Sequence, residues 1–195
     1  MEGSIPAVLS NMIQDSNPTE PGAQLRPDDL RRRFKIARPE TDKGLPHIGL
    51  VGDTYTVLLS GADTNGRYCL IDMHIPPGGG PGLHRHDYEE SFTLLSGEIE
   101  ATHRGEKSVV RAGETLHIPG NAPHGFKNAS AHPARLLCIC APAGLEEFFA
   151  QVGIPVETRI SPPPKLDDRD EKEFIEKATA LAPKYHTELL KPGPG

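Results

Sequence analysis

Cysteine is scarce in this chain. Cys69, Cys138 and Cys140 are three in number, an odd count that cannot close into a disulfide framework, and no Cys-x-x-Cys pair exists. On a strand, Cys138 and Cys140 point to one face as small buried thiols. Long apolar runs are missing too: no stretch approaches the length of a transmembrane helix. The start, Met-Glu-Gly-Ser-Ile-Pro, has no basic n-region and no apolar run, so no secretory signal is expected. Together with reduced cysteines this points to a cytoplasmic location. Positive charge is in deficit, 21 Lys and Arg against 27 Asp and Glu, for a net charge of −6. That balance argues against nucleic acid or an anionic membrane as a partner. One basic patch, Arg31, Arg32, Arg33, Lys35 and Arg38, runs against the trend and reads as a solvated helical face or a contact to an acidic partner protomer rather than a DNA-binding element. Nothing repeats internally, which excludes two tandem barrels. At 195 residues there is room for one domain with a sizeable core.

Turn formers are abundant: 20 Gly and 20 Pro, with aromatics at 5% and no Trp. The mixture suits an all-β fold with many turns. Residues 1–26 are polar and proline-punctuated, without sustained periodicity. Pro27-Asp28-Asp29-Leu30 opens like a short helix that can run to about Ala37 before Arg38-Pro39 ends it. Strand-like text then follows from Pro46: Tyr55–Ser60, Tyr68–Ile75, Glu90–Leu95, Ile99–His103, Ser108–Arg111, Glu114–Ile118, His124–Asn128 and Ala134–Cys140. After Pro142 the period changes. Leu145, Phe148, Phe149 and Val152 fall on one side of a helix that stops at Gly153. A stiff Pro162-Pro163-Pro164 spacer precedes a second helix over residues 167–182. The expected organisation is an N-terminal extension over residues 1–45, a β-domain over 46–160 and a helical tail over 161–195.

The chemistry concentrates in two segments, Gly78-x5-His84-x-His86-x3-Glu90-x6-Gly97 and Gly113-x5-Pro119-x4-His124-x3-Asn128. Side chains two apart on a strand share a face, so His84, His86 and Glu90 lie together. His124 must join them from a second strand. Three imidazoles with one carboxylate suit a divalent transition metal better than calcium or magnesium, which prefer oxygen shells. A set that leaves two positions open suits catalysis rather than a closed structural site. An isolated His on a strand is usually a surface or hydrogen-bonded residue, and His47, His74, His103, His117, His132 and His186 are read that way. His74 and His117 would reach the cavity only if their strands turn them inward. Tyr88 shares the ligand parity and Glu89 does not. Phe92, Leu94 and Phe126 also share it and supply apolar walls or structural core.

The two segments resemble the paired signature motifs of the cupin superfamily. The first matches at every fixed position. The second departs once, with Asn121 where the family usually has glycine, and Asn tolerates positive φ next best. The 15 residues between Gly97 and Gly113 resemble the short spacer of bacterial-type single-domain cupins. The resemblance extends over roughly residues 46–150. Arg67–Gly82 and the run from Ala141 to Phe149 look like the quercetin dioxygenase-like branch.

That resemblance implies a double-stranded β-helix, jelly-roll-like barrel around a metal held by His84, His86, Glu90 and His124. Iron, manganese, nickel, cobalt, copper and zinc all accept this set. It further implies a quercetinase-like dioxygenase acting with O2 on a small enol, catechol or polyketide-like anion, Glu90 taking the hydroxyl proton. A redox-neutral isomerase, decarboxylase or cyclase on the same site is the second expectation, and a non-catalytic small-molecule-binding cupin the third. Edge strands and long extensions at both ends lead to the expectation of a homodimer.

Overall fold

A computed structural model describes residues 25–191. The chain separates into two units, Met1–Arg33 and Phe34–Gly195. Most of the first unit, and with it most of the expectation for residues 1–26, lies outside the described residues. The helix expected from Pro27 does not form. Asp29 instead accepts hydrogen bonds from the Arg31 backbone N–H (3.1 Å) and from Arg31 Nε (2.8 Å), closing a local turn. This is the competition that Asp side chains offer to helix formation. A short helix also needs an apolar face to pack, and Leu30 and Phe34 are 87% and 90% exposed.

The second unit is built from two antiparallel sheets. Strands β1 (His47–Leu50), β2 (Asp53–Leu59), β3 (Cys69–Ile75), β4 (His84–His86), β5 (Glu89–Ser96), β6 (Glu98–His103), β7 (Glu106–Arg111), β8 (Thr115–Ile118), β9 (His124–Lys127), β10 (Ala134–Ala141), β11 (Ile154–Pro155) and β12 (Thr187–Leu189) are joined by helices α1 (Gly61–Thr64), α2 (Leu145–Val152) and α3 (Asp168–Leu181). The larger sheet has the order β11-β1-β2-β3-β10-β5-β8, the smaller one β12-β4-β9-β6-β7. Both are all-antiparallel, the jelly-roll arrangement expected from the sequence.

Strict alternation sets the inner face. Ala134, Leu136, Cys138 and Cys140 of β10 are buried, as are Glu90, Phe92 and Leu94 of β5 and Ile99 and Ala101 of β6. Phe92 from one sheet meets Phe126 from the other edge-on, ring centroids 5.3 Å apart. Fully burying a side chain of this size contributes about 1.5–3 kcal/mol. Strand β2 is buried on both faces. Tyr55 packs on Phe149 of α2, while Thr54 donates to the Ser161 carbonyl (2.6 Å) on the outside.

The C-terminal region holds an element that its helical period does not announce. After α3 and a 3-10 turn (Ala182–Tyr185), β12 pairs with β4 in the register Thr187↔His86, Glu188↔Arg85 and Leu189↔His84. Arg85 and Glu188 form an ion pair at 2.6 Å across it. The strand that carries two of the candidate ligands is therefore flanked by β12 on one side and β9 on the other.

Candidate metal centre

His84 and His86 alternate on β4, Glu90 enters from β5, and His124 lies opposite His84 in the β4–β9 register. One ligand atom from each of the four can be chosen so that all lie within 4.8 Å of one another. His86, Glu90 and His124 are buried, and His84 is half-buried, so the open side of the cluster lies at His84. The turn leading to His124 is closed by Asn121, whose φ of 66° is the left-handed conformation that glycine would otherwise supply. Its N–H donates to the His86 carbonyl at 2.6 Å, tying the second motif to the first.

The hydrogen bonds decide the tautomers. Nδ1 of His84 lies 2.8 Å from the Gly82 carbonyl, Nδ1 of His86 2.9 Å from Tyr88 O, and Nδ1 of His124 2.9 Å from Ala122 O. A carbonyl only accepts, so each Nδ1 carries a proton, and a ring in its neutral form turns its Nε2 lone pair inward. There the lone pairs meet a carboxylate: Glu90 Oε2 is 3.1 Å from His86 Nε2 and 3.0 Å from His124 Nε2. Acceptors facing acceptors at this distance repel one another unless a cation lies among them. The donor set fits a divalent transition metal for that reason. Burial, reinforced by His124, pushes His84 down to about 4, which keeps it neutral. Burial pushes Glu90 up, while positive charge at His124 and His86 Nε2 outweighs burial and holds the carboxyl well below its usual range, the place a bound cation would take when both rings are neutral. Both shifts favour the protonation states a metal requires.

The surroundings are aromatic and sulfur-rich. Tyr88 stacks on His86, Phe92 and Phe126 follow Glu90 and His124 two residues on along their strands and meet edge-on, and Cys138 and Cys140 lie against Glu90. The other histidines do not join the cluster. His117 is exposed, bound to Ser91 and Glu89. His74 sits on the outer parity of β3, between the buried Met73 and Ile75. His103, expected to be a surface or hydrogen-bonded residue, pairs with His124 in the β6–β9 register on the parity of Ala101, and its Nε2 is buried without a partner among the described residues. Period-two counting from Ile99 would have placed it inward. A cavity of about 560 Å³ lies away from these groups, lined by Leu50, Pro163, Leu166, Phe174 and Ile175 among others. It is largely apolar and holds none of the four candidate ligands.

Residues 71–140 match the family model described as a cupin domain, an interval containing all four cluster residues. An uncharacterised protein of Methanocaldococcus jannaschii is 33% identical over 111 residues, 56% of this chain and 89% of that one. The chain belongs to the cupin superfamily. This cupin is also 27% identical to quercetin 2,3-dioxygenase of Bacillus subtilis over 115 residues, 58% of its own length but 34% of that enzyme's. Among solved structures, the polyketide cyclase RemF from Streptomyces resistomycificus aligns with a TM-score of 0.49 at 21% identity, covering 74% of this cupin and 94% of that chain. A predicted oxalate decarboxylase from Thermotoga maritima aligns with the same TM-score and identity, covering 55% and 99%. Neither structural likeness bears on activity.

Proposed function

We propose that this cupin is a metal-dependent enzyme, a quercetinase-like dioxygenase that takes O2 and a small enol, catechol or polyketide-like substrate. The observation that carries the metal reading is the convergence of three tautomer-fixed Nε2 lone pairs and the Glu90 carboxylate. The dioxygenase branch is supported by the 27% likeness to the Bacillus subtilis enzyme over 115 residues.

In this reading His84, His86, His124 and Glu90 hold one divalent transition metal. Once bound, it would supply Lewis-acid polarisation of substrate oxygens and lower the pKa of a coordinated hydroxyl. The backbone carbonyls of Gly82, Tyr88 and Ala122 fix the imidazoles so that no ring needs to turn on loading. Phe92 and Phe126 exclude water from the inner end, and the half-buried His84 side admits substrate. Glu90 is the carboxylate of the cluster and is assigned the substrate hydroxyl proton. A cytoplasmic homodimer completes the proposal. Among the described residues no helix is long and apolar enough to cross a membrane.

The test is metal analysis of untagged protein, followed by O2 uptake with a panel of enols. A redox-active metal with substrate-dependent O2 uptake supports the dioxygenase. Turnover without O2 uptake moves the assignment to a redox-neutral isomerase, decarboxylase or cyclase, and binding without turnover to a small-molecule-binding module. His86→Ala should lose the metal and His132→Ala should keep it; equal retention by the two variants removes the ligand assignment.

A further inference from the structure

Glu90 is held from both ends. Oε2 faces the imidazoles of His86 and His124, while Oε1 lies 3.3 Å from Cys138 Sγ and 3.4 Å from Cys140 Sγ. The two sulfurs are 3.6 Å apart, and all three side chains are buried. The arrangement follows from register. Cys140 is the cross-strand partner of Glu90 and Cys138 that of Phe92, so two thiols at i and i+2 of β10 present themselves to the same inner-face carboxylate. An S–H is a weak donor and an ionised carboxylate only accepts, so both thiols direct their protons at Oε1.

We propose that Cys138 and Cys140 are positioning residues that hold Glu90 as a one-oxygen metal ligand. With Oε1 engaged by two thiols, only Oε2 is offered to the site. The carboxylate cannot rotate about its last bond without losing both contacts. The inference rests on the metal reading above and adds a function for two residues that otherwise count as packing.

The experiment is cobalt(II) affinity, measured by competition with a chelator, in the whole chain and four variants: C138A/C140A, C138S/C140S, E90A and the triple C138A/C140A/E90A, with C138A and C140A singly should the pair fail to fold. Loss of supporting partners around a metal ligand costs about 10–100-fold in affinity, the fall expected for C138A/C140A. The Ser pair, which keeps a donor, should recover to within about threefold, and the visible spectrum of bound cobalt should shift in the Ala pair and return in the Ser pair. In the E90A background the Ala pair should change nothing further, because the carboxylate it acts through is gone. A fall that persists in that background, or none in the Ala pair, overturns the proposal. Failure of the unmodified chain to bind cobalt at all removes the metal reading and this inference together, whereas tight binding with an additive cycle removes this inference alone.

Discussion

The phenol ring of Tyr88 lies flat against the His86 imidazole, centroids 3.9 Å apart and planes 2° from parallel. Its hydroxyl is 3.3 Å from Thr187 Oγ1, and that hydroxyl donates to the Tyr185 carbonyl at 3.1 Å. The C-terminal strand thus supports a ring that walls one face of a candidate ligand. The stack and the hydroxyl contact can be separated. Tyr88→Phe keeps the ring and gives up one long hydrogen bond, so it should cost no more than about 1 kcal/mol. Tyr88→Ala empties the wall, for about 3–5 kcal/mol as in other aromatic truncations, and should weaken metal retention as well. Denaturant unfolding and metal affinity measure the two effects. Equal losses in both variants would assign the role to the hydroxyl.

The four cluster residues were legible from the sequence because spacing and parity are one-dimensional facts. His84, His86 and Glu90 need only a period of two, and the glycine and proline positions bracket them. What was not legible depends on register between distant strands. The thiol contacts of Glu90 require Cys140 of β10 to fall opposite it, and the inward turn of His103 requires β6 to pair with β9. Strand β12 escaped because three residues, Thr187 to Leu189, carry no period; its place beside β4 is set by partners such as Arg85. The expected N-terminal helix failed for the opposite reason. Its local signals were present, but Asp29 satisfied the backbone in a turn, and among the described residues no tertiary surface covers Leu30.

Asp53 makes stability depend on pH. It is fully buried, with Oδ2 accepting from Tyr55 Oη (3.0 Å) and the Gly80 N–H (3.1 Å) and Oδ1 without a partner among the described residues. Burial pushes its carboxyl up to about 7, against the pull of those two hydrogen bonds. A folded pKa above the unfolded one stabilises fully below the unfolded value, near 4, and the contribution is lost as pH rises through 7. Asp53→Asn cannot titrate. The wild-type chain should therefore lose stability relative to this variant between about pH 4 and 7, by at most roughly 1.4 kcal/mol per pH unit, and run parallel above. Unfolding curves across that range provide the check, and parallel curves throughout would show Asp53 ionised in the fold.

Self-association is expected from the apolar surface. Phe34 is 90% exposed, and Ile175 of α3 and Leu166 border the apolar groove. An apolar surface of this kind is covered in stable oligomers, and a homodimer using the barrel's outer face with the N-terminal segment or α3 would cover it. Light scattering at micromolar concentration should give twice 21.1 kDa, and a value near 21.1 kDa would end the expectation. Phe34→Glu should shift a dimer toward monomer without touching the histidine cluster.

Glu90→Gln separates the roles of the carboxylate, and the geometry makes its outcome specific. The variant amide can turn its carbonyl to the two thiols and its NH2 to His86 and His124, whose Nε2 lone pairs lie 3.1 and 3.0 Å from the present Oε2. Both amide protons then find acceptors, so the repulsion that calls for a cation in the native cluster disappears. The metal-free variant should be more stable than the metal-free native chain, and its metal affinity should fall by well over tenfold, about the upper range for a lost ligand shell contact. Rate must then be read per bound metal, at metal concentrations that restore loading. If Glu90 also accepts the substrate proton, the loaded variant should still be slower by roughly 10²–10⁴, because a neutral amide takes no proton. If it is a ligand alone, rate per metal should recover fully. If the chain only binds small molecules, ligand affinity changes and there is no rate to lose. A variant that keeps both native metal affinity and native rate would refute any role for the Glu90 charge.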